Sequence, residues 1–288
     1  MTLDQALTRF DDEYGIRYAP AGGFVHGEVG ASLVVDVQGG QAVAKWEWPA
    51  DRDRLMELQA TVDVVERLRV RGARLPAYLH VVPLDTGVLV VQEFLPGETC
   101  DRVPDALLED LIAHNALQAG AVSDGHGWRS YMLESLNRGL SGYCEHASLQ
   151  TYNQATRALL ERIRAAGDAL LGVAVEEHDA VHLDFHHRNV LAEEGRLRGV
   201  VDCEGYRSGD RTFDLVTLAV CLSVAECSPS AEARLWALIE DLCESVTAAA
   251  YVAHMALRQV DWSIRHRTDD DVARWLSRSH RILDGLAR

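Results

Sequence analysis

The sequence predicts an α+β chain of two lobes. A small antiparallel-sheet lobe with one main helix spans residues 1–95, and a larger, mostly helical lobe spans residues 96–288. Three observations carry this. Strand-like runs with glycine turns are confined to the first third, amphipathic helical stretches fill the rest, and Leu95-Pro96-Gly97 breaks the pattern between them. With 288 residues, 48% apolar and 25% charged, the chain can bury a sizeable core, and neither disorder nor a collagen-like repeat fits it.

Taken in order, Leu3 to Tyr14 reads as a short amphipathic helix. Val25–Val37 and Gln41–Trp48 read as strands joined at Gly39-Gly40. Asp51–Arg71 is a helix, because Leu55, Leu58, Val62, Val65 and Leu68 recur on one side and Gly72 and Pro76 follow. Tyr78–Pro83 and Gly87–Phe94 form a hairpin around Asp85-Thr86-Gly87. Beyond the break, helices are expected over Asp105–Ala119, Trp128–Arg138, Leu149–Leu171, Thr212–Ala225, Ala231–His254 and Asp270–Ala287. Val181–Asp202 interrupts them with short strands and turns rich in His, Asp and Asn.

The formal charge is -16. The first 95 residues hold 9 basic and 14 acidic side chains, and the remainder 19 and 30. A nucleic-acid partner needs a basic face, so none is expected; a cationic small molecule suits this balance. Met1–Gly15 carries Asp4, Asp11, Asp12 and Glu13 without an apolar core, and no run is long enough to span a bilayer. The expectation is a cytoplasmic protein, monomer or homodimer, away from the membrane. Cys100, Cys144, Cys203, Cys221, Cys227 and Cys243 form no CxxC pair and read as reduced thiols.

The chemistry concentrates in two segments, VHLDFHHRNVL (181–191) and GVVDCEGYRSGDRTFDL (199–215). His182, Asp184 and Asn189 form H-x-D-x-x-x-x-N, the spacing of a kinase catalytic loop. Val200-Val201 ends at Asp202, a carboxylate at a strand tip. Magnesium takes hard oxygen ligands, which Asn189 and Asp202 offer as an amide carbonyl and a carboxylate. Asp184 is left to accept or orient a hydroxyl proton. A turn in which Asp184 merely holds the loop is the competing structural reading.

Lys45 is the sole lysine of the chain, in the strand pattern Ala42-Val43-Ala44-Lys45-Trp46. A buried ammonium needs a partner. The next helix offers Glu57, Asp63 and Glu66, with Glu57 favoured because it precedes Thr61 and Val65 by helical turns. Ahead of Lys45 lies G-G-F-V-H-G-E-V-G-A-S (22–32), where Gly27, Gly30 and Ser32 suit a hairpin approaching phosphates.

On these residues the chain resembles the aminoglycoside phosphotransferase and choline kinase superfamily, which has a protein-kinase-like fold, over roughly residues 20–280. The family segment H-G-D-x-H-x-x-N is matched by His182 to Asn189, and G-D-x-x-x-D-L by Gly209 to Leu215. The resemblance implies catalytic roles for Asp184, His182 and Arg188, metal ligation by Asn189 and Asp202, and phosphate contact by Lys45. Asp210 and Asp214 would support the loop and the following helix. Leu183 stands where the family carries glycine, and His187-Arg188 where Pro-Gly is common; Arg188 would add positive charge near the transferred phosphate. In V-V-Q-E-F-L-P-G (90–97), Gln92 would border the base pocket, and the backbone at Glu93, Phe94 and Leu95 would bond the nucleobase.

The implied activity is Mg²⁺-dependent transfer of the γ-phosphoryl of ATP or GTP to a hydroxyl of a cationic small molecule. An aminoglycoside, or a basic cyclic peptide of the viomycin and capreomycin type, is the expected acceptor, with antibiotic resistance as the outcome. A choline-like or other small-metabolite kinase, and an inactive nucleotide-binding pseudokinase, are the alternatives. Acidic candidates for acceptor contact are Glu204, Asp124, Glu134, Glu145 and Asp261, with Trp128, Tyr131, Trp262 and Trp275 as flat walls.

Overall fold

Alternation along Gln41–Glu47 organises the first part of the chain. Ala42 and Ala44 are buried on one face of the strand, so Val43, Lys45 and Glu47 take the other. The computed structural model describes residues 1–24, 31–47, 49–50, 52–85, 87–222, 225 and 227–286. The elements run α1 (Leu3–Tyr14), β1 (Tyr18–Phe24), β2 (Ala31–Asp36), β3 (Gln41–Glu47), α2 (Arg52–Val70), β4 (Tyr78–Leu84), β5 (Gly87–Glu93) and β6 (Glu98–Thr99). Then come α3 (Asp105–Ala116), α4 (Trp128–Asn137), α5 (His146–Tyr152), α6 (Gln154–Leu170), β7 (Asp179–Val181), β8 (Val190–Glu193), β9 (Arg196–Val200) and β10 (Arg207–Gly209). The last helices are α7 (Thr212–Leu222), α8 (Pro229–Leu242), α9 (Ser245–His266) and α10 (Asp269–Leu286).

The chain divides into two units, one of Met1–Thr99 with Val190–Arg207, the other of Cys100–Asn189 with Ser208–Arg288. The first unit is a sheet in the order β1-β2-β3-β5-β4, antiparallel throughout. On one face α1 buries Ala6, Leu7 and Phe10 against Val34, Ala42, Ala44, Leu89 and Val91. On the other, Leu58 of α2 packs with Val88 and Val90. Helix α1 is fixed at its start by a capping box between Thr2 and Gln5 and at its end by Gly15 at φ 68°. Gly87 allows Trp46 to lie against the strand, since a Cβ there would collide with the indole. The segment after residue 190, placed by sequence in the larger lobe, joins this unit because β8 pairs with β6 (Glu98↔Ala192) and β9 with β8.

The second unit is helical. Long buried stretches of α7 and α9 form its centre, with Trp128, Phe213 and Tyr251 meeting edge to face. Two expected helices are each two. Residues 149–171 break at Asn153, which is extended (φ −159°) and caps α6 by accepting the Thr156 N–H. Residues 231–254 break at Cys243 and Glu244, both extended. Neither break carries the glycine or proline that marks a stop in sequence, so the apolar period runs through both. Strand β1 carries two glycines that dilute its strand pattern, so the sequence does not mark it. Among the described residues no helix is long and apolar enough to cross a membrane, and all six cysteines are free thiols.

Candidate active site

In the first unit the site is built on Lys45. Antiparallel pairing sets it opposite Val90, on the face that α2 covers. Its Nζ lies 2.9 Å from Asp202 Oδ1 and 2.7 Å from Glu204 Oε1. Burial works against the ammonium, but Glu204 and then Asp202 outweigh it and hold the pKa well above the ordinary lysine value. Asp202 follows β9 in the left-handed region, φ 64°, a conformation aspartate tolerates better than most residues. It leads into a tight turn, Cys203–Gly205, that the rest of the unit holds. The Cys203 thiol donates to the Val200 carbonyl, and Thr61 of α2 donates to the Tyr206 carbonyl.

The expected Lys45–Glu57 pair is not formed. The inward side of α2 is Leu58, Thr61, Val64, Val65 and Leu68, which turns Glu57 outward, where it pairs with Arg54 at 3.2 Å. Asp63 and Glu66 are exposed as well. Glu204, expected on the acceptor, is instead spent on Lys45, because the turn after Asp202 folds its side chain back toward β3.

Gly27 and Gly30 lie outside the described residues. Ser32 sits on β2 opposite Ala44. Gln92 is buried on β5. The Glu93 carboxylate accepts from Arg69 and from the Ala77 N–H, tying the strand end to the chain after α2. Past Glu93 the ladder stops, and the main-chain groups of Phe94 and Leu95 have no partner among the described residues.

In the second unit the site is the loop between β7 and the turn His187–Asn189. Asp184 Oδ1 accepts from Arg258 Nη2 at 2.7 Å and lies 3.3 Å from His186 Nε2. Asn189 Nδ2 donates to the Asp184 carbonyl at 2.9 Å and to Oδ2 at 3.2 Å, which leaves the Asn189 amide oxygen as an acceptor. Burial raises the Asp184 pKa, but Arg258 and then His186 outweigh it and hold the carboxyl well below the usual carboxylate range.

The loop is anchored from α7. Asp214, fully buried, accepts the N–H groups of His182 (2.7 Å) and Leu183 (3.0 Å) and the Gln118 amide (2.8 Å). Asp210 accepts the Thr212 N–H at the start of α7 and the Tyr251 hydroxyl. His182 is 1% exposed and accepts the Asp184 N–H through Nδ1, a supporting place rather than a substrate-facing one. Arg188 is exposed. Leu183 is held at φ 71°.

The remaining acidic candidates disperse. Asp124 and Glu134 are exposed. Asp261 is 1% exposed and accepts from the Glu145 N–H (3.0 Å), Ser148 and Arg265, so it fastens the start of α5 to α9 and is closed to a substrate. Glu145 accepts the Gly142 N–H. Trp128 is a core residue that donates to Tyr251. No motif spacing links α9 to the loop, so sequence alone does not point to Arg258. The one available signal was an arginine on the helical stripe of His254 and Asp261, where the other residues are buried.

Residues 29–250 match the phosphotransferase enzyme family, and the chain belongs to that family. No curated protein matches it in sequence. Among solved structures it is similar to the aminoglycoside phosphotransferase APH(4)-Ia, at TM-score 0.69 and 18% identity over 98% of this chain and 97% of the other. A thermostable mutant of that enzyme, in a ternary complex with AMP-PNP and hygromycin B, is similar at TM-score 0.69 and 18% identity over 97% and 98%. A protein of Thermobifida fusca assigned as a fructosamine-3-kinase is similar at TM-score 0.63 and 15% identity over 98% and 100%. The fold is therefore protein-kinase-like, and the chain is a phosphotransferase.

Proposed function

We propose that the chain transfers the γ-phosphoryl of ATP, with Mg²⁺, to a hydroxyl of a cationic small molecule. The observation that carries this is the 2.9 Å pairing of Lys45 with Asp202, which joins the chain's sole lysine to the carboxylate at the strand tip. Lys45 would bind the phosphates. Each unit offers an oxygen of the type magnesium takes: in the first the Asp202 side chain is 52% exposed, and in the second Asn189 keeps its amide oxygen while its Nδ2 is spent on Asp184. The ion would supply charge neutralisation on the phosphates. Asp184, ionised and oriented, accepts the acceptor's hydroxyl proton. The chain-wide acidity favours a cationic acceptor, an aminoglycoside or a basic cyclic peptide such as viomycin or capreomycin, with resistance as the consequence. The likeness to the Thermobifida fusca protein supports a small-metabolite kinase as the second reading.

The test is mass spectrometry of reactions with MgATP, or MgGTP, and a panel of hygromycin B, other aminoglycosides, viomycin, capreomycin and choline. One compound should gain the mass of a phosphoryl group. Nucleotide binding without transfer to any hydroxyl compound would favour a binding-only protein.

A further inference from the structure

The sharpest unassigned feature lies at Leu183 and Asp184, and its meaning rests on the phosphotransfer reading. A leucine at φ 71° is strained, and such a conformation persists only where its surroundings over-determine it. Here both peptide units flanking Leu183 are held from outside the loop. Asp214 of α7 takes the Leu183 N–H at 3.0 Å. Arg258 of α9 donates Nη1 to the Leu183 carbonyl at 2.8 Å and Nη2 to Asp184 Oδ1 at 2.7 Å.

The guanidinium is itself well placed. Its side chain is 17% exposed, and its carbon lies 5.3 Å from the centre of the Tyr143 ring. The flanking residues Leu257, Val260 and Asp261 are buried in the core of the unit, which makes α9 a rigid support. A planar fork meets two acceptors at once in a fixed orientation, and a lysine ammonium, a single rotatable point of donors, lacks that fixed geometry.

We propose that Arg258 is a positioning residue for phosphoryl transfer, fixing the main chain at Leu183 and the Asp184 carboxylate in one orientation from helix α9. It acts through Asp184 and not on the substrate. Its loss therefore lowers the rate of transfer while leaving nucleotide binding in place.

The test uses the full chain with Arg258→Met and Arg258→Lys. MgATP hydrolysis, transfer to water, serves as the kinetic probe, and hydrogen exchange of the 182–189 peptide reads the loop directly. For Arg258→Met, kcat should fall about 100-fold, KM for MgATP should stay at the wild-type value, and the loop should exchange faster. Arg258→Lys should recover part of kcat. A folded Arg258→Met chain with wild-type kcat, or with unchanged exchange over 182–189, overturns the proposal, as does an equal effect on kcat and KM in both variants. If Arg258→Met does not fold, Arg258→Lys is decisive: a wild-type kcat there rejects the fork. If the wild-type chain turns over no MgATP, the functional reading fails separately, and the exchange comparison still judges the clamp.

Discussion

Lys45 and Glu204 form a buried ion pair, 2.7 Å apart, with side chains 14% and 11% exposed. The glutamate lies two residues past Asp202, so one short turn supplies both carboxylates that hold the lysine. Helix α2 contributes packing to this arrangement through Thr61 and no charge.

Removing one member of such a pair should cost more than removing both. Lys45→Met leaves Glu204 buried beside Asp202 alone, and about 2–4 kcal/mol of unfolding free energy should be lost. Lys45→Met with Glu204→Leu should recover most of it. Urea unfolding of the single and double variants measures this, and nucleotide binding should be lost in both.

Asp184→Asn removes the proton acceptor while keeping the side-chain shape. The rate of transfer should fall by at least about 100-fold. Nucleotide affinity, followed by calorimetry, should stay near wild type. A variant with ordinary turnover would remove Asp184 from the mechanism.

Leu183 gives a contrast between two small substitutions. Glycine tolerates φ 71°, so Leu183→Gly should hold stability to within about 1 kcal/mol, strain relief offsetting lost backbone entropy. Leu183→Val puts a β-branched side chain where it fits worst and should cost about 2 kcal/mol. Thermal and urea unfolding of the pair separate the two outcomes.

His146 predicts acid sensitivity. Burial pushes its pKa below the ordinary 6.5, and its Nε2 lies 2.9 Å from the Ser135 carbonyl. Above pH 6.5 the ring is neutral in both folded and unfolded chains and adds no pH dependence. Below it the unfolded chain binds the proton first, so stability should fall as pH drops toward the depressed folded value. Melting temperatures in acid and at neutral pH should show a smaller drop for His146→Gln than for the wild type.

What was legible in the sequence was whatever lies close along the chain. The helix Leu3–Tyr14 was readable from its period. The strand carrying Lys45 and the loop from His182 to Asn189 were readable from alternation and motif spacing. What was not legible depends on helix phase and on distant partners. Helical spacing to Thr61 and Val65 puts Glu57 on the inward side of α2, but a one-residue offset from Leu58 turns it to solvent. Asp261 reads from sequence as a candidate for acceptor contact, and its bonds to Glu145, Ser148 and Arg265 fix it in the core instead. Arg258 meets Asp184 from 74 residues away, a separation that no local pattern encodes.

The sole lysine is sequestered in its ion pair, and the other 27 cationic side chains are arginines. Within these 288 residues, acylating labels and aldehyde crosslinkers therefore meet no side-chain amine outside that pair. Slow acylation at position 45 would then report how often that pair opens.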